Sequence, residues 1–350
     1  MNAERPPKLT LTALPTPVEA APRLAEAIGL NAADLWIKRD DLTGLGGGGN
    51  KVRKLEYTVG AARARGADVL VTTGAPQSNH ARLTAAAAAR AGMRAVLVFP
   101  GSAGGPVVGN LALDGLLGAR VVWAGAVDAD GLAKAAAGVV ETLRRDGARP
   151  ALIPFGGSSA LGAEGYADCG RELLAQLPDL RHVVVALGSG GTMAGLVAAL
   201  GARTVLGVDC GARPDAAEAV VRFAAPLIAT GADAGTDPEI EIEIETDPGT
   251  GTGTGPAPHH LRIRTDQVGE GYGAFSEETA SALTLAARSE GLMLDPVYTG
   301  RAMAGLAAAV RDGDIRPGER TVLLHTGGLP GLFGHPAALR FAGAGLRPER

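Results

Sequence analysis

The chain has 350 residues, 46% of them hydrophobic, which is enough for two domains or one large α/β unit with a buried core. A net charge of −4 and an aromatic content of 3% argue against a basic or base-stacking surface, so we expect neither nucleic acid nor a membrane as a partner. The amino terminus lacks the apolar stretch of a signal peptide, and the two cysteines, Cys169 and Cys210, have no metal-binding spacing, so we expect a cytoplasmic protein without a metal site.

Short apolar strands alternate with helices along most of the chain. The predicted strands cover residues 35–38, 68–73, 95–99, 120–123, 151–154, 182–187, 204–209, 260–264 and 321–325. The first predicted helix begins at Lys51. The others cover 81–91, 108–117, 131–146, 164–177, 192–201, 277–290 and 301–311, with a further helix near the end of the chain. β-Branched strands separated by helices are typical of parallel sheets covered on both faces, so the predicted class is doubly wound α/β.

Residues 236–258 interrupt this alternation. They read TDPEIEIEIETDPGTGTGTGPAP, in which a Glu-Ile alternation is followed by a Gly-Thr repeat. Because a Gly-Thr repeat cannot build a core, we expect a mobile surface insertion without a role in the chemistry.

A glycine-rich loop at residues 44–49 leads directly to Lys51. Glycine permits positive φ and a close approach of a ligand to the backbone. Lys51 then stands at the start of a helix, where the helix dipole disfavours its positive charge. Only five of the 33 basic residues are lysine, which favours a role for Lys51 that arginine cannot fill, such as imine formation. The alternative is a solvated lysine beside a flexible loop.

A second polar group follows the predicted strand 68–73, in the segment TGAPQSNHAR. Gln77, Ser78, Asn79 and His80 stand where a helix begins, so backbone N–H groups there suit a carboxylate or a phosphate. The alternative is that Ser78 only caps the helix.

A third candidate is a glycine-rich turn between the predicted strand 182–187 and the next helix. It consists of Gly188, Ser189, Gly190, Gly191 and Thr192. A strand, glycine loop and helix in this order can hold a phosphate on backbone amides. Met193 occupies the third glycine position of a dinucleotide fingerprint, and Asn50 and Val52 break a Walker pattern at Lys51, so neither nucleotide motif is present. A plain tight turn is the alternative.

Three further positions follow in the second half of the chain. Thr326 lies in HTGGLPG after the last predicted strand. Tyr272 lies in GEGYG and Tyr298 in DPVYTG, and these are two of only four tyrosines. Either tyrosine could instead be a partly buried loop residue.

Taken in order, these motifs resemble one known family. KRDDLTGLGGGGNKVRKLEY, TTGAPQSNHARLTAAAA, LGSGGTMAGL, GEGYG, LDPVYTGRAMAGL and LHTGGLPGLF resemble the D-cysteine desulfhydrase and 1-aminocyclopropane-1-carboxylate deaminase family. That family belongs to the tryptophan-synthase-β-like, fold type II enzymes that use pyridoxal phosphate. The resemblance implies two doubly wound parallel-sheet domains, a small one at 52–158 and a large one formed by 1–51 and 159–350. It also implies a homodimer.

The resemblance further implies a role for each matching residue. Lys51 is expected to form the Schiff base with pyridoxal 5′-phosphate, Asn79 to contact its 3′-oxygen, and the 188–192 loop to bind its phosphate. Ser78, with Gln77 and the amides of Asn79 and His80, is expected to receive the substrate carboxylate. Tyr272 and Tyr298 are expected to flank the substrate side chain as catalytic groups.

Two positions choose between the activities of this family. The deaminases have Glu after the DPVY tyrosine and Leu between the His and Gly-Gly of the last motif, where this sequence has Thr299 and Thr326. A carboxylate at the pyridine nitrogen favours its protonation, which opening a cyclopropane ring requires, whereas a threonine suffices for losing a thiol from Cβ. Which of the two threonines contacts the nitrogen stays open.

We therefore expect a carbon–sulfur lyase that converts D-cysteine or a related small amino acid into pyruvate, ammonia and sulfide. The alternatives are a 1-aminocyclopropane-1-carboxylate deaminase, an L-cysteate sulfo-lyase-type enzyme, and a non-enzymatic phosphate- or nucleotide-binding protein.

Overall fold

A computed structural model describes residues 6–232 and 260–346 and divides the chain into two compact units. The first unit contains Pro15–Asp40 and Ser158–Gly327, and the second contains Asp41–Gly157 together with terminal pieces within 6–14 and 328–346. The second unit thus includes residues 41–51 and both terminal pieces in addition to the span expected for the small domain. The expected insertion, residues 236–258, lies outside the described residues.

The first unit is built on a six-stranded sheet. Its strands, in chain order, are β1 Val18–Ala20, β2 Leu35–Lys38, β7 His182–Leu187, β8 Val205–Asp209, β9 Arg262–Arg264 and β10 Thr321–Leu324. Their spatial order is β1-β2-β10-β7-β8-β9, and all neighbours are parallel except β1 and β2. The carboxyl ends of the parallel strands therefore share one edge, which is where ligands bind in open α/β sheets.

Helices cover both faces of this sheet. They are α1 Pro22–Ile28, α6 Ala160–Gln176, α7 Gly191–Leu200, α8 Ala216–Ala232, α9 Glu277–Glu290 and α10 Thr299–Arg311. Strand β7 shows why: Val183 and Val185 belong to one buried cluster, and Val184 and Ala186 belong to the other. Since successive side chains of a strand point to opposite faces, an unbroken apolar strand needs cover on both sides.

The second unit repeats this plan on a smaller scale. Its four strands are β3 Val69–Thr73, β4 Arg94–Phe99, β5 Arg120–Trp123 and β6 Pro150–Leu152. They are parallel and lie in the order β5-β4-β3-β6. Its helices are α2 Lys51–Ala64, α3 Asn79–Arg90, α4 Gly109–Leu116, α5 Ala129–Arg145, α11 Leu329–Phe333 and α12 Pro336–Ala344.

The predicted class, α/β with two parallel-sheet units, is confirmed. The sequence patterns did not predict β1, α1 or α8, since two of these elements are short and α8 carries Pro226 within an alanine-rich segment. None of the helices in the described part of the chain is long and apolar enough to cross a bilayer. Within the same residues, no cluster of His, Cys, Asp and Glu could hold a metal ion.

Candidate active site

The glycine loop before Lys51 adopts a backbone that other residues rarely form. Gly46, Gly47, Gly48 and Gly49 all have positive φ, and a Cβ at Gly48 would lie 2.0 Å from the carbonyl oxygen of Asp41. Thr43 fastens the end of the loop, because its hydroxyl accepts a hydrogen bond of 2.8 Å from the N–H of Gly49. Lys51 follows as the first residue of α2, as the sequence predicts.

A second lysine lies close to Lys51. Lys54 is buried, and its Nζ is 3.4 Å from the carbonyl oxygen of Gly156. Burial lowers the pKa of Lys54 well below its ordinary value, and the charge of Lys51 lowers it further. A buried amine with a lowered pKa is itself a nucleophile in principle, so the structure offers two neighbouring amines where the sequence indicated one.

His80 is buried beside these lysines and is held in one tautomer. The hydroxyl of Thr72 donates to the carbonyl oxygen of Ile153 at 3.0 Å, so it accepts from His80 Nε2 at 2.9 Å. Burial, followed by the charges of Lys51 and Lys54, lowers the pKa of His80 well below its ordinary value. The imidazole is therefore neutral near pH 7 and carries its proton on Nε2.

The start of α3 presents donors, as predicted. Ser78 is the N-cap, and its Oγ accepts from the N–H of Ala81 at 3.1 Å. The oxygen of Ser78 therefore caps the helix, as the alternative interpretation of the sequence predicts. Its hydroxyl hydrogen is still able to donate to a ligand. Among the described residues, the backbone N–H groups of Asn79 and His80 donate to no acceptor, so this helix terminus can receive an anion.

The side chain of Gln77 makes contacts with α4 that the sequence did not predict. Its Nε2 donates to the carbonyl oxygen of Val108 at 2.9 Å, and its Oε1 accepts from the N–H of Asn110 at the same distance. Both ends of the side chain therefore hold the start of α4, which sequence reasoning did not foresee.

In the first unit, the 188–192 loop joins β7 to α7. Gly190 is the N-cap of α7 with φ of +92°, and a Cβ at Gly191 would lie 2.7 Å from Ser158 Oγ. Ser158 Oγ also contacts Ser189 Oγ at 2.8 Å and accepts from the N–H of Gly191 at 3.2 Å. The loop is therefore a tight, buried turn at the N-terminus of a ten-residue helix, which gives it amides and a dipole suited to a phosphate.

The two predicted tyrosines meet in the first unit. Their hydroxyls are 2.8 Å apart, and the rings contact edge to face with centroids separated by 6.2 Å. Desolvation, followed by the effect of Tyr272, raises the pKa of Tyr298 well above its ordinary value. Tyr298, like an ordinary tyrosine, is a neutral hydrogen-bond donor near pH 7, and the raised pKa disfavours a role as a base.

The two threonines that distinguish the activities of the family differ in their contacts. The Thr299 hydroxyl donates to Asp295 Oδ1 and accepts from the N–H of Asp295, both at 2.7 Å. The Thr326 side chain is 7% exposed, and its hydroxyl has no hydrogen-bond partner within the part of the chain that the structure describes. Only Thr326 thus keeps its hydroxyl hydrogen for a ligand.

Sequence reasoning missed the residues that support these groups. Asp295 accepts at Oδ2 from the N–H groups of Val297 and Tyr298, each at 3.0 Å. Arg301 is 1% exposed and donates to three carbonyl oxygens, those of Cys210, Gly271 and Ala274, each at 2.8 Å. Both residues lie within the LDPVYTGRAMAGL motif, so their closeness to Tyr298 in the sequence could have indicated that they support it.

Within each unit, these groups suit separate parts of pyridoxal phosphate. An amine at Lys51 suits the aldehyde, the 188–192 turn suits the phosphate, and the Thr326 hydroxyl suits the ring nitrogen. The turn tolerates no side chain at Gly191, and the hydroxyl of Thr326, a residue that is 7% exposed, has no hydrogen-bond partner among the described residues. The donor set therefore matches the polar atoms of the cofactor.

Comparison with known proteins shows a family that uses this cofactor. Residues 9–327 match the family described as pyridoxal-phosphate dependent enzyme. The chain is 38% identical over 339 residues to a Pyrococcus abyssi protein named "Putative 1-aminocyclopropane-1-carboxylate deaminase", covering 93% of each chain. It is 37% identical over 340 residues to the D-cysteine desulfhydrase of Salmonella typhi, covering 94% of this chain and 97% of the relative.

A solved structure shows the same architecture. It is described as an ACC deaminase homologue and aligns with a TM-score of 0.78 and 35% identity, covering 96% of this chain and 97% of the other. The predicted tryptophan-synthase-β-like fold is thereby confirmed. Because both the family match and these relatives span most of the chain, the protein belongs to the pyridoxal-phosphate dependent enzyme family.

Proposed function

We propose that this enzyme eliminates the thiol of D-cysteine or a closely related amino acid. The reaction consumes one water and yields pyruvate, ammonia and sulfide. The observation that carries the proposal is the pair Thr299 and Thr326, where the deaminases of the resembling family have Glu and Leu. The 37% identity to a D-cysteine desulfhydrase supports the same choice.

Pyridoxal phosphate, when bound, withdraws electrons from the substrate Cα and so stabilises the negative charge that develops there. In our proposal Lys51 holds the cofactor through its amine, and Gly188, Ser189, Gly190, Gly191 and Thr192 bind its phosphate. Asn79 faces its 3′-oxygen. Thr326, rather than Thr299, faces its ring nitrogen, because the Thr299 hydroxyl is already committed to Asp295.

The substrate carboxylate binds at the start of α3. The Ser78 hydroxyl and the N–H groups of Asn79 and His80 donate to it, and the helix dipole favours its negative charge. Gln77 acts on this site indirectly, because its side chain holds α4 against the same turn. Binding of this kind fixes the orientation of Cα, which supplies much of the rate enhancement in such reactions.

The substrate amine would take the place of the Lys51 amine on the cofactor, and the freed amine of Lys51 would then take the proton from Cα as general base. The bond between Cβ and sulfur breaks, and the electron pair leaves with the thiolate. Tyr298, whose hydroxyl is protonated near pH 7, donates a hydrogen bond toward the departing sulfur, and Tyr272 holds the Tyr298 hydroxyl at 2.8 Å.

A substrate panel tests the proposal. We expect pyruvate and sulfide in equal amounts from D-cysteine, and pyruvate from β-chloro-D-alanine, with at most weak turnover of L-cysteine. If D-cysteine gives no sulfide while L-cysteate gives sulfite and pyruvate, the enzyme is instead an L-cysteate sulfo-lyase-type eliminase.

Deamination of 1-aminocyclopropane-1-carboxylate is the second candidate. It is favoured by the 38% identity to the Pyrococcus abyssi relative and by the similarity to the solved deaminase homologue. This activity would release a four-carbon keto acid, 2-oxobutanoate, from the cyclopropane substrate in the same panel. Its predominance over sulfide release would overturn the choice based on Thr299 and Thr326.

We further propose a cytosolic homodimer. The homodimer follows from the family resemblance, and the buried free thiols of Cys169 and Cys210 are compatible with a reducing compartment. Sedimentation of the purified protein at micromolar concentration tests the dimer, and a monomer there would contradict it.

A further inference from the structure

Asn110 contacts a residue of the proposed cofactor site. It is fully buried on α4, one residue after the start of that helix. Its Nδ2 donates two hydrogen bonds of 2.9 Å, one to the carbonyl oxygen of Gln77 and one to Asn79 Oδ1. Its backbone N–H is also bound, since it donates to Gln77 Oε1.

These contacts fix the orientation of two amide groups. The backbone carbonyl oxygen of Gln77 can only accept, so the NH₂ group of Asn110 must point toward it, because the opposite orientation would place oxygen against oxygen. Asn79 must therefore present its oxygen to Asn110. The NH₂ group of Asn79 consequently points away from α4, and it donates to no acceptor among the described residues.

The surroundings leave Asn110 little freedom to move. Gly109 has φ of +58°, and a Cβ there would lie 2.4 Å from Gln77 Oε1 and 2.7 Å from the carbonyl oxygen of Pro330. A Cβ at Gly334 would lie 2.1 Å from the same Gln77 oxygen. The start of α4 is thus packed tightly enough to hold the Asn110 side chain in one place.

We propose that Asn110 is a positioning residue that turns the Asn79 amide so that its NH₂ group donates to the 3′-oxygen of pyridoxal phosphate. Without this bond, the Asn79 oxygen that faces α4 has no donor. The amide then favours the opposite orientation, in which its oxygen repels a negatively charged 3′-oxygen. The inference rests on the proposed role of Asn79. It adds a residue that touches neither cofactor nor substrate.

The test is the affinity of the apoprotein for pyridoxal phosphate in a double-mutant cycle. We expect Asn79→Ala and Asn110→Leu each to raise the Kd about tenfold or more, since a hydrogen bond to a charged group is lost. We expect the double variant to bind no more weakly than Asn79→Ala alone, because Asn110 acts through Asn79. The absorbance spectrum of the bound cofactor should change in the same way in both single variants.

Leu111→Ala is the matched control for simple destabilisation. It removes a partly buried apolar side chain from the same helix and leaves the donor to Asn79 in place. It should lower the melting temperature of the apoprotein and leave the Kd within about twofold of wild type. If it weakens cofactor binding as much as Asn110→Leu does, the effect is a loss of structure and the inference is overturned.

The remaining outcomes separate the inference from the proposed function. An Asn110→Leu protein with wild-type Kd, or effects that multiply in the double variant, would overturn the inference alone. Wild-type affinity in Asn79→Ala would overturn the role of Asn79 as well. A wild-type protein that takes up no pyridoxal phosphate would contradict the proposed function before any variant is made.

Discussion

At the scale of single residues, Thr299 and Thr326, on which the proposed activity is based, make different contacts. Thr299 uses its hydroxyl as donor and acceptor with Asp295, so it fixes the turn that carries Tyr298 at the start of α10. Thr326 keeps its hydroxyl for a ligand. The sequence indicated both positions as candidates but could not separate them, because the hydrogen-bond partners of a hydroxyl are not visible in a motif.

Valine substitutions should distinguish the two tasks. Thr299→Val should lower the free energy of unfolding by about 1–3 kcal/mol, because it leaves the buried N–H of Asp295 without a partner. Thr326→Val should leave this free energy nearly unchanged but lower kcat about tenfold, since in our proposal the Thr326 hydroxyl faces the ring nitrogen. Chemical denaturation and steady-state kinetics measure the two quantities. A stable, inactive Thr299→Val with an active Thr326→Val would reverse the assignment.

At the scale of elements, Arg301 ties a loop to a helix. It projects from α10 and donates to carbonyl oxygens of Gly271 and Ala274, on either side of Tyr272, and also to that of Cys210. An arginine side chain presents several donors in a fixed plane, so one residue can hold the three carbonyl groups together. The position of Tyr272 opposite Tyr298 therefore depends on Arg301.

Replacing Arg301 by lysine keeps the charge and loses this geometry. We expect Arg301→Lys to accelerate hydrogen exchange of amides in residues 269–275 and to lower kcat/KM about tenfold or more, because Tyr272 is no longer held against Tyr298. Tyr272→Phe is the matched control, since it removes the contact between the hydroxyls and leaves the loop in place. Unchanged exchange in the Arg301→Lys loop would contradict this role.

Another pair of elements, α3 and α4, encloses a buried carboxyl group. Asp114 is fully buried, and neither of its carboxylate oxygens has a hydrogen-bond partner among the described residues. Burial raises the pKa of Asp114 to about 7, although the charge of Arg82 opposes this shift. Arg82 is also fully buried and donates to the carbonyl oxygen of Gly48 at 2.9 Å, which holds the glycine loop.

This carboxyl group makes stability depend on pH. Between the ordinary pKa of 3.8 and about 7, folded Asp114 binds a proton that the unfolded chain has released, so the free energy of unfolding falls as the pH rises. Asp114→Asn removes this dependence. Denaturation of the apoprotein at pH 5 and pH 8 should show the variant gaining stability relative to wild type at the higher pH. A constant difference between the two proteins would contradict the raised pKa.

At the scale of the whole molecule, the sequence predicted most of the architecture. Parallel strands such as β7 are buried on both faces, so their unbroken apolar runs are easy to recognise between helices. It also indicated the polar groups at strand ends, because Ser78, Asn79 and the 188–192 turn occupy the loops where α/β proteins bind ligands.

What the sequence could not predict are contacts between residues far apart in the chain. Asn110 and Asn79 are separated by 31 positions, and Arg301 and Cys210 by 91. Such pairs depend on how helices pack and leave no local pattern. The same limit applies to Lys54, whose unusual environment results from burial rather than from its neighbours in sequence.

The central claim is that the amine of Lys51, rather than that of neighbouring Lys54, carries the cofactor. Borohydride reduction of the holoenzyme fixes pyridoxal phosphate on the lysine that holds it, and fragmentation of the peptide containing residues 50–56 by mass spectrometry locates the added mass. We predict the mass on Lys51, with none in a Lys51→Ala protein treated in the same way. Recovery of the mass on Lys54, or on a lysine outside this peptide, would contradict the account.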